Sequence, residues 1–357
     1  MPLAANGAGV RFLAPIDAGG HRHGVDLVRL PRPTLFRRLA TFAGLLAKLL
    51  RPGAAVYHFQ DPQLLPVGLL LKLVLRKRVI YDAYEDFPSM AAQKRRIPRF
   101  LRPLAARSMA ALENLAARRF DGIMTADPFT LRRFAHTGPS RKLVFYNFPN
   151  LDFFPPLKPG TKRFDVVYRG GLSERAGTPL LLSAIEMLAA SARQVRVLLI
   201  GYFDSPAAET AIRGRIRLLG LEPLVEIRGR IDHEDMAAAL SESRIGVSPL
   251  LPVPKFLLNI PVKIFEYWAC GLPVVATDLP PIRPFVRSGD AAFLVPPTNA
   301  AELAQVIAWL LDHPQAAARM GAKGRELVEK RFNNSAEVRK LGRFVTLIAR
   351  DGVRTPC

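Results

Sequence analysis

Short runs of β-branched and aromatic residues alternate along this chain with longer stretches in which leucine and alanine recur at helical spacing. The first pattern predicts strands and the second helices, and their alternation predicts parallel sheets covered by helices. In the first 150 residues strands are predicted at Val10–Leu13, Val25–Arg29, Ala55–Phe59, Val79–Ala83, Gly122–Ala126 and Leu143–Asn147. Helices are predicted at Thr34–Leu50, at Pro62–Leu75 with Asp61 as N-cap, and over Pro98–Arg119. In the last of these, Leu101, Leu104, Leu112 and Leu115 fall near helical spacing among Arg99, Arg102, Arg107, Arg118 and Arg119, which makes a basic amphipathic helix.

From Phe148 to Lys162 the prolines Pro149, Pro155, Pro156 and Pro159 forbid a continuing helix or central strand. The alternation then restarts, with strands predicted at Asp165–Tyr168, Val195–Ile200, Leu224–Arg228, Ile245–Ser248, Val274–Thr277 and Ala292–Val295. Helices fall between them at Pro179–Ala190, Glu209–Leu219, Glu234–Ser241, Ile264–Ala269 and Ala300–Leu311. The expected fold class is α/β, with two similar domains over 1–150 and 164–334, a linker over 151–163, and a final helix, Ser335–Ala349, that packs back on the first domain.

Composition agrees with a folded, two-domain chain: 357 residues, 49% hydrophobic and 23% charged. Two cysteines, Cys270 and Cys357, cannot build a disulfide framework, and no His/Cys cluster has metal-ligand spacing. Charge changes the picture more. The net charge is +21, and residues 1–150 hold 24 basic against 9 acidic residues, a net of +15. That excess points to an anionic partner. The longest apolar run, Leu64–Leu75, is too short to span a bilayer and no secretory signal is visible, so the expected location is cytoplasmic.

Two segments carry candidate chemistry. Val166-Val167-Tyr168-Arg169-Gly170-Gly171-Leu172-Ser173 is a strand running into two glycines before a helix, where backbone approaches a ligand closely; a tight turn explains it equally well. In Asn259-Ile260-Pro261-Val262-Lys263-Ile264-Phe265-Glu266, Lys263 and Glu266 share one helix face. A lysine there can hold a phosphate and a carboxylate can accept from vicinal ribose hydroxyls, while a surface ion pair is the plainer alternative. His58 follows an apolar strand and reads as a packed or locally bonded residue; His21 and His23 read as solvated loop residues.

The run Pro261 to Val286, with Phe293 to Pro297, Met320 to Arg325, Tyr168 to Leu172 and Leu198 to Gly201, resembles the nucleotide-sugar glycosyltransferases of the GT-B fold, retaining family four. His58 to Pro66 and Tyr81 to Pro88 resemble the same family's acceptor domain. The resemblance implies two Rossmann-like domains facing across a cleft, a nucleotide-sugar donor bound by the second, and transfer with retention to a polysaccharide or lipid-linked glycan. It implies that Glu266 orients the donor ribose, that Lys263 and Arg175 neutralise the diphosphate, that the backbone of Gly170, Gly171, Asn259, Ile260, Pro261 and Val262 faces the diphosphate, and that Arg228 and Gly229 lie near the base. Neither cofactor nor metal is expected, since positive groups stabilise the leaving diphosphate.

The chain departs from the family pattern at Leu258, where a first glutamate is usual, and at Gly171 and Ala176, where Arg and Lys are usual and for which either Arg175 or Arg169 could substitute. Tyr84 stands where the acceptor domain carries its histidine, and a tyrosine there is a hydrogen-bond donor but a poor base near neutral pH. A first strand, a glycine-containing loop and a helix are also expected ahead of Val10 and do not appear in the sequence. An alternative therefore stands beside transfer: a catalytically weak or inactive GT-B protein acting as a membrane or assembly partner. Lys94, Arg95, Arg96, Arg99 and Arg102, interleaved with Ile97, Phe100 and Leu101, fit adsorption to an anionic membrane surface, which would place the protein at the inner membrane face. With no nucleic-acid-binding motif in the chain, nucleic acid is not an expected partner.

Overall fold

The computed structural model describes residues 9–14, 19–22, 24–30, 49, 54–94, 97–135, 141–156, 162–286 and 290–350. The expected helix Thr34–Leu50, apart from Leu49, and the residues His23, Arg95 and Arg96 lie outside the described residues. The chain divides into two compact units, Met1–Tyr146 with Glu337–Cys357, and Asn147–Ala336.

In the first unit the elements are β1 (Val10–Ala14), β2 (Gly20–Arg22), β3 (Val25–Arg29), β4 (Val56–Phe59), α1 (Leu65–Leu73), β5 (Arg78–Ala83), α2 (Phe87–Gln93), α3 (Arg102–Ala117), β6 (Gly122–Thr125), α4 (Pro128–Arg132) and β7 (Lys142–Val144). Strands β4 to β7 form a parallel sheet in chain order. Leu65 and Leu71 of α1 and Ala116 and Ala117 of α3 cover one face. The other face is covered by α12 (Asn334–Arg350), whose Leu341, Phe344 and Ile348 pack on Ile80 and Met124. Gly122 makes room for that helix, since a Cβ there would meet Ile348 at 2.5 Å. Asp121 pins the sheet edge: it accepts from Lys72 and Arg78 at 2.6 Å each and from the Val79 amide at 2.9 Å. Burial alone would raise its pKa, but these bonds lower it below the ordinary aspartate value.

The sequence predicts strands at Val10–Leu13 and Val25–Arg29 within the first domain. They are strands, but they pair with each other and with the β2 hairpin in a separate three-stranded sheet. His21 is accordingly a β2 residue paired with Asp26 at 2.9 Å, not a loop residue.

The second unit holds β8 (Phe164–Arg169), α5 (Thr178–Ala190), β9 (Val197–Ile200), α6 (Pro206–Leu218), β10 (Val225–Arg228), α7 (Met236–Ser241), β11 (Ser243–Ser248), α8 (Lys263–Ala269), β12 (Val274–Thr277), α9 (Arg283–Val286), β13 (Ala292–Val295), α10 (Ala300–Asp312) and α11 (Pro314–Lys330). Its sheet is wholly parallel in the order β10-β9-β8-β11-β12-β13. Tyr168, Leu181, Ile185, Leu199, Val247, Val275 and Ile307 belong to its core. Burying each such aliphatic side chain stabilises the fold by about 1.5–3 kcal/mol. The strand order runs outward in opposite directions from β8 and β11, and parallel sheets of this kind bind ligands where the order reverses, beyond the carboxyl ends of the strands. No described helix is long and apolar enough to cross a membrane.

Candidate functional site

The carboxyl ends of β8 and β11 are joined by a side chain. After Gly246 the direct ladder between them stops, and the Tyr267 hydroxyl takes its place, accepting from the Arg169 amide at 2.8 Å and donating to the Val247 carbonyl at 3.2 Å. Burial holds this phenol far above its ordinary pKa, so it stays protonated and can make both bonds. Only glycine fits at 246, because a Cβ would meet the Tyr267 ring at 2.5 Å.

Beyond this bridge the backbone turns through glycines. Gly170 has φ +147°, and a Cβ on it would lie 2.9 Å from Lys263 Nζ and 3.0 Å from the Tyr168 hydroxyl. Gly201, at the end of β9 with φ +150°, has its Cβ position 1.8 Å from the Gly170 carbonyl oxygen. The two strand ends thus pack backbone against backbone and leave a concavity of about 240 Å³ lined by Tyr168, Gly170, Gly171, Ser173, Arg175, Ala176, Tyr202, Asp204, Leu250, Lys255, Phe256, Asn259, Ile260, Pro261 and Lys263. A complete small-molecule pocket spans about 300–1,000 Å³, so this volume suits part of a larger ligand.

Lys263 opens α8 and is almost wholly buried. Its ammonium lies 3.2 Å from the Tyr168 hydroxyl and 4.3 Å from the ring centroid, and that hydroxyl donates to the Gly171 carbonyl at 2.9 Å. Burial, with the like charge of Arg169, lowers its pKa to about 7 against the opposing pull of Glu266. A nearby anion would restore the proton. Arg175 stands across the pocket, held by Asp204 through Nε at 3.0 Å and Nη2 at 2.9 Å. Asp204 Oδ1 would be 3.0 Å from a Cβ at Gly171, so the absence of a side chain at 171 gives this carboxylate its place.

Glu266 lies one turn further along α8 and is 3% exposed. Its Oε2 is 3.3 Å from Arg169 Nε yet makes no hydrogen bond, and burial raises its pKa against the opposing charges of Arg169, His233 and Lys263. A buried carboxylate oxygen without a hydrogen-bond donor costs about 1–3 kcal/mol or more, so this oxygen keeps its capacity to accept one. It forms no ion pair with Lys263, so the surface-pair alternative does not apply: both side chains are buried and have different neighbours. The α8 backbone beneath them is fixed by Trp268, whose Nε1 donates to the Ala291 carbonyl at 2.8 Å, and by Arg325, which bonds the carbonyl of Ala269.

Seven of the residues given a site role by the family resemblance therefore meet in one pocket: Gly170, Gly171, Arg175, Asn259, Ile260, Pro261 and Lys263. Glu266 and Val262 do not line it; Glu266 lies buried behind Lys263 on α8, and the Val262 carbonyl caps α8, accepting from Phe265 at 3.0 Å. Arg228 is not among the lining residues. Its guanidinium is taken up by Glu226 and Glu242, each at 2.8 Å, and only its carbonyl faces the β9 end, where it accepts from Gly201 at 3.1 Å. Gly229 has open space at its Cβ and is not among the lining residues. Tyr84 belongs to the first unit, where it is exposed and edge-on to Phe87 at 5.4 Å. His58 is a local partner, 3.4 Å from Asp82. Sequence reasoning missed Tyr202, Asp204, Leu250, Lys255 and Phe256; the signal for Tyr202 to Asp204 was their position just past a strand beside the reversal point. Among the described residues no group of three or more His, Cys, Asp or Glu is placed to hold a metal.

Residues 163–313 match the family described as Glycosyl transferases group 1. A phosphatidyl-myo-inositol mannosyltransferase of Mycobacterium leprae is 28% identical over 188 residues, 52% of this chain and 47% of that protein. The chain thus spans about half of that relative's length. D-rhamnosyltransferase WbpZ of Pseudomonas aeruginosa is 23% identical over 309 residues, 83% of this chain and 67% of that protein. Among solved structures, sucrose-phosphate synthase of Thermosynechococcus elongatus superposes with a TM-score of 0.77 at 22% identity, covering 98% of this chain and 92% of that one. Anabaena HepE in complex with UDP and glucose superposes at 0.71 with 19% identity, covering 91% and 87%. The fold is GT-B.

Proposed function

We propose, from a second unit that is a group 1 glycosyl transferase domain, that this chain transfers a sugar from a nucleotide-sugar donor to a polysaccharide or lipid-linked glycan, with retention at the anomeric carbon. The observation that carries the reading is the meeting of Lys263, Arg175 and the Gly170–Gly171 backbone in one pocket at the point where strand order reverses. The diphosphate would lie against Gly170 and Gly171, where only backbone fills the floor, with Lys263 and Arg175 supplying positive charge and Lys255 adding to it at the rim. Binding raises the proton occupancy of Lys263, so the ammonium is charged when negative charge builds on the leaving diphosphate. Glu266, whose buried Oε2 lacks a donor, accepts from the ribose hydroxyls.

The relatives' names and bound ligands support the class of donor and acceptor. The mycobacterial relative is named for mannosyl transfer to a phosphatidylinositol, and the Anabaena structure holds UDP and glucose. The test is release of nucleoside diphosphate from a panel of UDP- and GDP-sugars by the full chain, with the anomeric configuration of the product read by NMR. Turnover above background with a retained configuration supports the reading. Absence of turnover together with unimpaired nucleotide binding would favour the catalytically weak GT-B protein instead.

A further inference from the structure

Helix α3 carries its long apolar side chains on the wrong side for a core. The residues it buries are Glu113, Ala116 and Ala117, while Leu104, Leu112 and Leu115 are 61%, 47% and 59% exposed. At about 100° per residue these leucines and Leu101 fall within about 80° of arc, facing away from Glu113. The turn leading into the helix adds Phe100, 80% exposed, and Leu101. Monomeric proteins scatter such residues singly, and a continuous stripe marks a surface that is covered in use.

The charges around the stripe identify what covers it. Arg99, Arg107, Arg118 and Arg119 are all exposed, and the helix's one acidic residue, Glu113, is fully buried and bonded to Tyr81 at 2.6 Å and to Arg133. Two copies meeting across this face would bring like charges together, whereas a leucine stripe edged by arginines matches an anionic lipid headgroup layer above acyl chains. Arg102 is partly occupied, its Nε donating to the Ile97 carbonyl at 3.0 Å.

We infer that the outer face of the Arg99–Leu101 turn and α3 is a membrane-seating surface, with Phe100, Leu104, Leu112 and Leu115 entering the interface of an anionic bilayer and Arg107, Arg118 and Arg119 engaging its headgroups. The leucines, more than the Lys94–Arg102 cluster, hold the protein there. The inference rests on the first unit alone and stands independently of the donor-site reading.

The test is co-sedimentation of the full chain with phosphatidylcholine vesicles containing about 30% phosphatidylglycerol, and with phosphatidylcholine alone. Wild type sediments with the anionic vesicles, less so at high salt, and Leu104→Glu/Leu115→Glu lowers the bound fraction at least about tenfold. Because both positions are solvent-facing, that variant keeps its thermal transition, and Leu104→Gln/Leu115→Gln repeats the loss without added charge. Equal sedimentation of wild type and both variants overturns the inference. So does lipid-free self-association that the variants abolish, which would make a second copy the occupant.

Discussion

The ammonium of Lys263 rests on Tyr168, 3.2 Å from its hydroxyl and 4.3 Å from its ring centroid, in a pocket where burial has already weakened its hold on a proton. With a pKa of about 7, this lysine is half-charged near neutrality, and an anion that pairs with it draws in a proton.

Nucleoside diphosphate binding should therefore strengthen as pH falls from about 8.5 to about 6.5, because the free protein increasingly presents the charged form that the ligand needs. The sign follows from a free-state pKa below the bound-state one. Calorimetric titrations across this range, in buffers of different ionisation enthalpy, should reveal proton uptake that disappears in Lys263→Met. The free protein behaves the other way: its depressed lysine makes wild type gain stability with rising pH between about 7 and 10.4, a slope that Lys263→Met should lose.

Glu266→Gln separates binding from folding. The substitution removes both the cost of burying the carboxylate and its attraction to Arg169 at 3.3 Å, two opposing effects, so the fold should persist with a small change in thermal stability, while nucleotide affinity should fall by about 1.5–3 kcal/mol, the worth of a charged hydrogen bond. Loss of the folded state in this variant would mean that Glu266 is structural.

Tyr267→Phe removes the bridge between β8 and β11, leaving the Arg169 amide and the Val247 carbonyl without that partner. Urea unfolding should register a loss of about 2–4 kcal/mol with an unchanged m-value.

Gly201→Ala should be at least as damaging. The new Cβ would stand 1.8 Å from the Gly170 carbonyl oxygen at a φ that L-residues rarely adopt, so the β9 end must move and the pocket floor with it. Destabilisation of about 3 kcal/mol or more, together with lost UDP binding, is the expected pair of results.

Donor turnover should be indifferent to chelation, since the charge on the leaving group is assigned to Lys263, Arg175 and Lys255. Equal rates with and without EDTA agree with that assignment, and a rate restored only by added divalent metal contradicts it.

Sequence pattern located Val25–Arg29, Val274–Thr277 and Ala292–Val295 to the residue because β-branched runs between turn residues leave few other options. It missed α11, whose Gly321 and Gly324 look like breaks. In the fold those glycines let the helix lie against α8: a Cβ at 321 would be 2.0 Å from the Gly271 carbonyl oxygen, and one at 324 would be 2.3 Å from the Trp268 ring. The site was legible where a strand runs into glycines and where Lys263 and Glu266 share a helix. It was not legible where partners come from distant chain: Asp204, which claims Arg175, and Glu242, which claims Arg228, follow from tertiary packing that no local pattern encodes. The division of β1 to β3 from β4 to β7 likewise depends on pairing, which periodicity does not report.

The donor site proposed for the second unit depends on Gly170, Gly171 and Lys263 in the pocket and on Glu266 beside it. The most direct measurement is isothermal titration of the full chain with UDP and with GDP, repeated on Lys263→Met and Glu266→Gln. One site is expected for at least one of the two nucleotides, weakened at least about tenfold in each variant while the thermal transitions persist. Binding of neither nucleotide by wild type, or equal affinity in wild type and both variants, would contradict it.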